Sequence, residues 1–385
     1  MNRRQLFAVG GLATVTPAIS VAAAANTAVY GKSALFKRIT FQSDGLGLDP
    51  HEYTALLHDL TAARKMEPDE YSIGGLVAEL ERKFAQLLGK ESALFLPTGT
   101  LANHLAVRKL AGNERRVLVQ AESHLFNDSG DCAQTLSGLT LIPLATNRGT
   151  FEFSEVKRWV ERSPAGKVET QVGVISIENP VRRRDHEMFE LGELERICAY
   201  AREHGIRLHL DGARMFNLPY HSGRSIREYA ALFDTVYVSL WKHFNGASGA
   251  MLAGDASFIE GLFHTRRMFG GSLPQAWPDI ALVAQSADRY LDEYARAWLA
   301  ADEFIALLHA DGRFKAQKLA NGTSRFLLAV AGVAPESLIE RVSKRGVILP
   351  LPRSDTGVFP MQVNATILRT TPAALARIFT ESMPG

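Results

Sequence analysis

Cysteine is nearly missing from this chain: Cys132 and Cys198 are the only two among 385 residues. They form no CxxC pair, which argues against a metal site built on thiolates, and two cysteines make no disulfide framework. Cys198 falls on the apolar side of a helical pattern, where buried packing is the expected role. Excess charge of one sign is missing too. The 43 basic residues against 41 acidic ones leave a formal charge of +2, which offers nothing to a nucleic acid or an anionic membrane. There is no internal repeat. No G-x-G-x-x-G follows an early strand, which counts against a dinucleotide enzyme. Outside the N-terminus no run is long and apolar enough to span a membrane.

What is present is a globular composition, 46% hydrophobic and 22% charged, able to bury a sizeable core. At about 150 residues per domain the length predicts two domains. The N-terminus reads as a separate tag. Arg3 and Arg4 precede a mildly apolar stretch from Leu6 to Val21, and Ala22 to Ala25 offer small-residue cleavage sites. A charged head, a short apolar middle and a small-residue end are the parts of an export signal. Paired arginines before only moderate hydrophobicity, with Thr14, Thr16 and Pro17 inside it, favour the twin-arginine type over an ordinary secretory signal. The expectation is therefore a periplasmic protein without a membrane span after signal removal, the alternative being cytoplasmic. The organisation expected is 1–25 signal, 26–69 a segment packing with both domains, 70–285 a large domain and 286–385 a small one.

Between about Glu70 and Gly254 helical and strand patterns alternate. Leu76, Leu80, Phe84 and Leu87 line one face of a helix over Ile73–Leu88, and Leu191, Leu194, Ile197 and Ala201 mark another that Gly205 ends. Ser92–Leu96, Val117–Gln120, Val172–Ile177, Ile206–Leu210 and Thr235–Leu240 read as apolar strands. Such alternation predicts an α/β fold with a mainly parallel sheet covered on both faces. Past Gly271 the pattern changes to a smaller α+β domain. It has a long helix over Asp288–Ala310, strands at Phe326–Val330, Val347–Leu349 and Ala365–Leu368, helices from Pro335 and Pro372, and a loop over Asp311–Ser324.

Chemistry gathers just past the strands, where open parallel sheets bind ligands. Asp211 follows Ile206–Leu210 and can face a ligand cation; taken alone, Asp-Gly is more often a turn. Lys242 follows Thr235–Leu240, beside aromatics. Desolvation there lowers an amine's pKa and makes it a nucleophile for an aldehyde. Pro97-Thr98-Gly99-Thr100 joins a strand to a helix beginning near Leu101, offering N–H groups to an anion, although simple N-capping would use the same residues. His124 follows Val117–Gln120, and its ring can stack on a flat group. An amine, an acid, an anion cradle and a plate are what pyridoxal 5′-phosphate needs.

With these residues in place the chain resembles the threonine aldolase group of the aromatic amino acid β-eliminating lyase/threonine aldolase family, fold-type-I enzymes that use pyridoxal 5′-phosphate. The motifs are Leu208-His209-Leu210-Asp211-Gly212-Ala213-Arg214, Leu94-Phe95-Leu96-Pro97-Thr98-Gly99-Thr100 and Ser239-Leu240-Trp241-Lys242. The resemblance runs from about Ser43 to Gly271, with a weaker trace to Arg369. It implies that Lys242 carries the cofactor aldehyde, Asp211 meets the pyridine nitrogen, Gly99 and Thr100 hold the phosphate, His124 stacks on the ring, and Arg214 belongs to the cofactor site. It further implies that Ser43, Arg214 and Arg369 take the carboxylate of a small amino-acid substrate and that Tyr71 is lent across the interface of a homodimer or homotetramer. Lys242, His124 and Asp211 form the implied catalytic set, with no metal. The implied reaction is cleavage of a β-hydroxy-α-amino acid to glycine and an aldehyde, the alternatives being β-elimination or a cofactor-binding protein that has lost turnover.

The chain departs from the family pattern in places. Where the family reads Glu-Asn-Thr-His, this chain has Glu178-Asn179-Pro180-Val181, followed by Arg182, Arg183, Arg184, Asp185 and His186. Pro274 stands where a phosphate-binding arginine is expected, leaving Arg266 or Arg267 to compensate. His243-Phe244-Asn245 follows the lysine in place of small residues. His124, His186 and His243 are the candidate bases for the substrate hydroxyl.

Overall fold

The computed structural model describes residues 35–384. The expected export signal and the start of the segment after it lie outside the described residues. Twelve strands are described: β1 (Ile39–Thr40), β2 (Ser92–Leu96), β3 (Arg116–Gln120), β4 (Thr140–Leu144), β5 (Val172–Glu178), β6 (Arg207–Asp211), β7 (Thr235–Ser239), β8 (Ala250–Gly254), β9 (Phe314–Lys318), β10 (Arg325–Val330), β11 (Val347–Ile348) and β12 (Phe359–Gln362). Seven of them form the central sheet in the order β2-β8-β7-β6-β5-β3-β4. All neighbours are parallel except those of β8, which runs antiparallel to both β7 and β2. β5 and β7 are buried along their whole length, as strands covered by helices on both faces must be.

Strands β4 and β8 were not evident in the sequence. β4 contains Pro143, tolerated because β4 is the last strand of the order and its outer edge needs no donor. β8 is short and alanine-rich, too small to show periodicity. The helix expected from Ile73 begins two residues later, as α2 (Gly75–Leu88). Gly74 and Gly75 both have positive φ, and a Cβ on Gly75 would lie 2.4 Å from the carbonyl oxygens of Glu67 and Pro68. The chain must turn there before it can coil.

Two small sheets complete the fold. β10 lies antiparallel between β12 and β9, and β1 pairs in parallel with β11. The segment expected as a loop thus contains β9. It is hard to see in sequence because only Phe314 of its five residues is buried. The strand expected at Ala365–Leu368 is instead a 3₁₀ turn over Ala365–Arg369, because the Asn364 side chain caps it by accepting from Thr366 N at 2.9 Å. The long helix is present as Val283–His309. Ahead of the central sheet, α1 (Pro50–Ala63) opens with an Asp49 capping box and proline in its first turn, and Tyr53 Oη donates to the Pro278 carbonyl at 2.6 Å. Cys132 and Cys198 are free and buried. No helix among the described residues is long and apolar enough to cross a membrane.

Candidate active site

β6 and β7 end side by side, and the residues beyond their ends meet. Asp211 closes β6. Lys242 sits three residues past β7, on a turn held by Leu240 N to Gly249 O at 3.0 Å and Gly246 N to Leu240 O at 3.1 Å. Phe244 anchors this turn from below, edge-on to Phe84 at 5.3 Å and to Phe216 at 4.9 Å. Each such pair contributes about 0.5–1.5 kcal/mol beyond its buried area. That is the physical use of an aromatic where the family pattern has small residues.

Lys242, Asp211, His124 and Arg214 all face one small cavity, together with Glu178 and Tyr237. Three of its walls, Lys242, Arg214 and Arg182, are shared with a cleft of about 810 Å³. Burial lowers the Lys242 amine to about 8, helped by the Arg214 charge and opposed by nearby carboxylates. Burial likewise lowers His124, whose ring is therefore neutral near pH 7.

Asp211 is fixed by a chain of hydrogen bonds that the sequence did not reveal. Its Oδ2 accepts from Asn103 Nδ2 at 2.6 Å and its Oδ1 from Ala213 N at 3.1 Å. A carboxylate only accepts, so the Asn103 amide turns its oxygen toward His209 Nε2, 2.9 Å away. His209 must then donate through Nε2, leaving Nδ1 to accept from Thr235 Oγ1 at 2.9 Å. Burial holds His209 down at about 4, consistent with that neutral tautomer. Asn103 belongs to α3 (Gly99–Ala111), so the helix that opens with Gly99 and Thr100 is tied directly to the acid.

At the start of α3 the Thr98 side chain caps by accepting from Leu101 N at 3.2 Å. The N–H groups of Gly99 and Thr100 come before any intrahelical bond can form, leaving them for an anion. A side chain at Gly99 would clash with Tyr237. A Cβ there would lie 1.9 Å from Oη of Tyr237, which lines the cavity.

Arg214 lines both the small cavity and the cleft. Its Nε and Nη2 donate to Asp44 Oδ1 and Oδ2 at 2.8 and 2.7 Å. Burial would raise Asp44, but the Arg214 charge and hydrogen bonds outweigh it and hold the acid well below the usual range. Arg369 does not line the cleft, and its Nη1 donates to the Arg38 carbonyl. Arg325, at the head of β10, lines the cleft with Ser43, Lys242, Arg182 and Arg214, and its Nε donates to Gln362 Oε1 at 3.1 Å. Sequence reasoning missed it because β10 lies more than 80 residues beyond the lysine and has no local motif.

Other expected residues fall outside the site of a single chain. Tyr71 lies 42% exposed beneath the Arg267 guanidinium, 4.9 Å from its ring centre, and lines neither cavity. Arg266 is buried and spends itself on the carbonyls of Phe95 and Ser72, at 2.7 and 3.2 Å. Of the candidate bases only His124 lines the cavity. His186 is buried with Nδ1 2.6 Å from Ser324 Oγ, and His243 is stacked on Tyr290 at 4.5 Å.

Glu178, the other missed group, is buried. Its Oε2 accepts from His124 N at 2.6 Å and its Oε1 from Arg182 N at 2.8 Å. Burial, reinforced by the Asp211 charge, raises it to about 7 despite those two donors.

A mainly parallel α/β sheet with a low-pKa lysine and a fixed aspartate at the ends of adjacent strands defines a fold-type-I enzyme of the pyridoxal phosphate class. The chain belongs to the beta-eliminating lyase family, whose model matches residues 52–335. Among curated relatives, the low-specificity L-threonine aldolase of Candida albicans is 31% identical over 56% of this chain and 57% of its own length. That of Saccharomyces cerevisiae is 27% identical over 64% of this chain and 71% of its own. The chain thus spans little more than half the length of the first of these relatives. A solved structure assigned as an L-allo-threonine aldolase from Listeria monocytogenes superposes with a TM-score of 0.75 at 27% identity, covering 90% of this chain and 96% of that one.

The residues present fit pyridoxal phosphate. The amine, the carboxylate held in its accepting form, the neutral imidazole and the free N–H groups of α3 supply a partner of the right charge for each part of the cofactor.

Proposed function

We propose that this protein is a pyridoxal-phosphate-dependent lyase that cleaves the Cα–Cβ bond of β-hydroxy-α-amino acids, giving glycine and an aldehyde. The observation that carries the reading is that Lys242 and Asp211 wall the same buried cavity with His124, beside a cleft large enough for an amino acid. The names of the relatives support it.

When bound, the cofactor supplies an aldehyde for a primary amine and a ring that draws electrons from the substrate Cα. The protein's share is positioning and proton control. Lys242, lowered to about 8, has a substantial free-amine fraction near neutral pH. Asp211, locked by Asn103 and Ala213, presents a negative charge that keeps a pyridine nitrogen protonated. Gly99 and Thr100 hold phosphate at the α3 N-terminus. Arg325, which lines the cleft with Ser43 and Arg214, takes the substrate carboxylate. Neutral His124 is the base for the β-hydroxyl proton, since the family histidine is replaced by Val181.

Incubation with a panel of β-hydroxy amino acids is the direct test. Glycine plus aldehyde is expected, whereas a keto acid plus ammonia would replace this reading with β-elimination. Assembly is part of the proposal. Tyr71, exposed in one chain, would complete the site of a second copy. A fully active monomer by light scattering would refute that. Export through a twin-arginine signal is also proposed from Arg3, Arg4 and the stretch to Ala25. Cell fractionation should find the protein periplasmic and shortened, and a cytoplasmic, full-length protein would refute it.

A further inference from the structure

The segment in which the chain departs from its family includes Asp185, and Asp185 stands between two arginines. Arg325 Nη1 approaches its Oδ1 at 3.4 Å, and Arg353 holds its Oδ2. Two guanidinium groups on one carboxylate leave one positive charge in excess beside the cleft that Arg325 lines. The segment is built against the chain that leads into β10. His186 Nδ1 lies 2.6 Å from Ser324 Oγ, Thr323 N donates to His186 O at 3.1 Å, and Met188 N donates to Asn321 O at 2.7 Å. Asp185 and His186 both adopt left-handed backbone, with φ of 53° and 62°. That costs about 1–3 kcal/mol for each non-glycine residue and persists only where surrounding contacts impose it. Here the contacts are the docking onto the β10 approach and the two arginine pairs.

Arg325 is thereby gripped from two sides. Its Nε edge is bound by Gln362 at 3.1 Å, and Gln362 Nε2 donates in turn to Asp44 Oδ1 at 3.2 Å. Its Nη edge faces Asp185. Without Asp185 the guanidinium would keep one tether and could swing about it. We propose that Asp185 is a positioning residue for substrate recognition: it aims Arg325 so that the guanidinium meets the α-carboxylate in the cleft. This inference rests on the proposed function, in which Arg325 binds the amino-acid carboxylate.

The test compares the cofactor-loaded parent with Asp185→Asn, Asp185→Glu, Arg325→Gln and the Asp185→Asn/Arg325→Gln double variant. KM and kcat are measured with L-threonine. Calorimetry gives the binding of glycine and of ethanolamine, which has the amine but no carboxylate. Asp185→Asn is expected to raise KM and the glycine Kd about three- to fivefold, the upper part of the range for a partly exposed charge pair. It should leave kcat within about twofold, because a contact equally present in ground and transition states changes KM alone. Ethanolamine binding should not move. Asp185→Glu should recover part of the loss, and the double variant should be no weaker than Arg325→Gln, since both act through one guanidinium. Equal losses for glycine and ethanolamine, an unchanged KM in Asp185→Asn, or additive losses in the double variant would overturn the assignment. A loaded parent that binds neither glycine nor ethanolamine would instead refute the amino-acid-binding reading itself.

Discussion

The Arg214 guanidinium closes on Asp44 through two parallel hydrogen bonds of 2.8 and 2.7 Å, and both side chains are almost wholly buried. A fork engaged this way cannot also grip a substrate carboxylate with both donors. The pair joins the turn after β6 to the segment after β1, and it forms one wall of the cleft. Removing one partner leaves a buried charge uncompensated, which costs about 3–5 kcal/mol. Asp44→Ala should therefore lower unfolding stability by that order in urea titration at pH 7. The sign of the pH effect follows from Asp44 being held below its ordinary 3.8. Its stabilising contribution is complete above that value and fades as pH falls beneath it, so the deficit of the variant should shrink in acid. A deficit that stays constant down to pH 2 would contradict the pairing.

Lys242 titrates in a range that is easy to reach. An ordinary lysine gains free amine up to pH 10 and beyond, whereas Lys242 is lowered to about 8. Covalent capture of pyridoxal phosphate, trapped by borohydride, should rise about tenfold per pH unit below 8 and level off above it. Lys242→Ala should trap nothing at this site. A trapping rate in the parent that still climbs between pH 9 and 10 would rule out the lowered amine.

Glu178 shifts the other way. Burial and then the Asp211 charge raise it to about 7 from the usual 4.5. A group with a raised folded-state pKa stabilises fully below the unfolded value and loses that contribution as pH climbs through the folded one. Glu178→Gln cannot ionise, so its stability relative to the parent should improve between pH 5 and pH 8. Thermal unfolding of both apo-proteins across that range reads this directly, and a flat difference would refute it.

Gly99 is confined by Tyr237 rather than by turn geometry. Gly99→Ala would place a methyl 1.9 Å from Tyr237 Oη and 2.4 Å from Cζ, overpacking that costs about 1–3 kcal/mol. The apo-protein should melt lower. Adding Tyr237→Phe should restore only part of the loss, since the ring carbon remains too close. A Gly99→Ala protein with unchanged melting and unchanged cofactor affinity would show that the two residues do not meet.

Much of this molecule could be read from its residues in order. The buried strands are short apolar runs, and the amine, acid and imidazole that line one cavity each follow a strand directly. Those are local signals: a few residues and their period decide them. The edge strand β4 carries a proline, β8 is made of small residues, and the Ala365–Arg369 turn depends on a side-chain cap, so none of these had a local pattern to read.

What only the tertiary structure decided is partnership. Arg214 meets Asp44 across 170 positions, Arg325 comes to line the cleft beside Lys242 and Ser43, and Asn103 links helix α3 to Asp211 across 108. The charged and polar groups of a chain can pair in many ways, and burial makes one pairing far better than the rest. The residues in sequence determined which chemistry this protein carries; the folded chain determined which groups are left free to perform it, because a group's availability depends on what else is buried beside it.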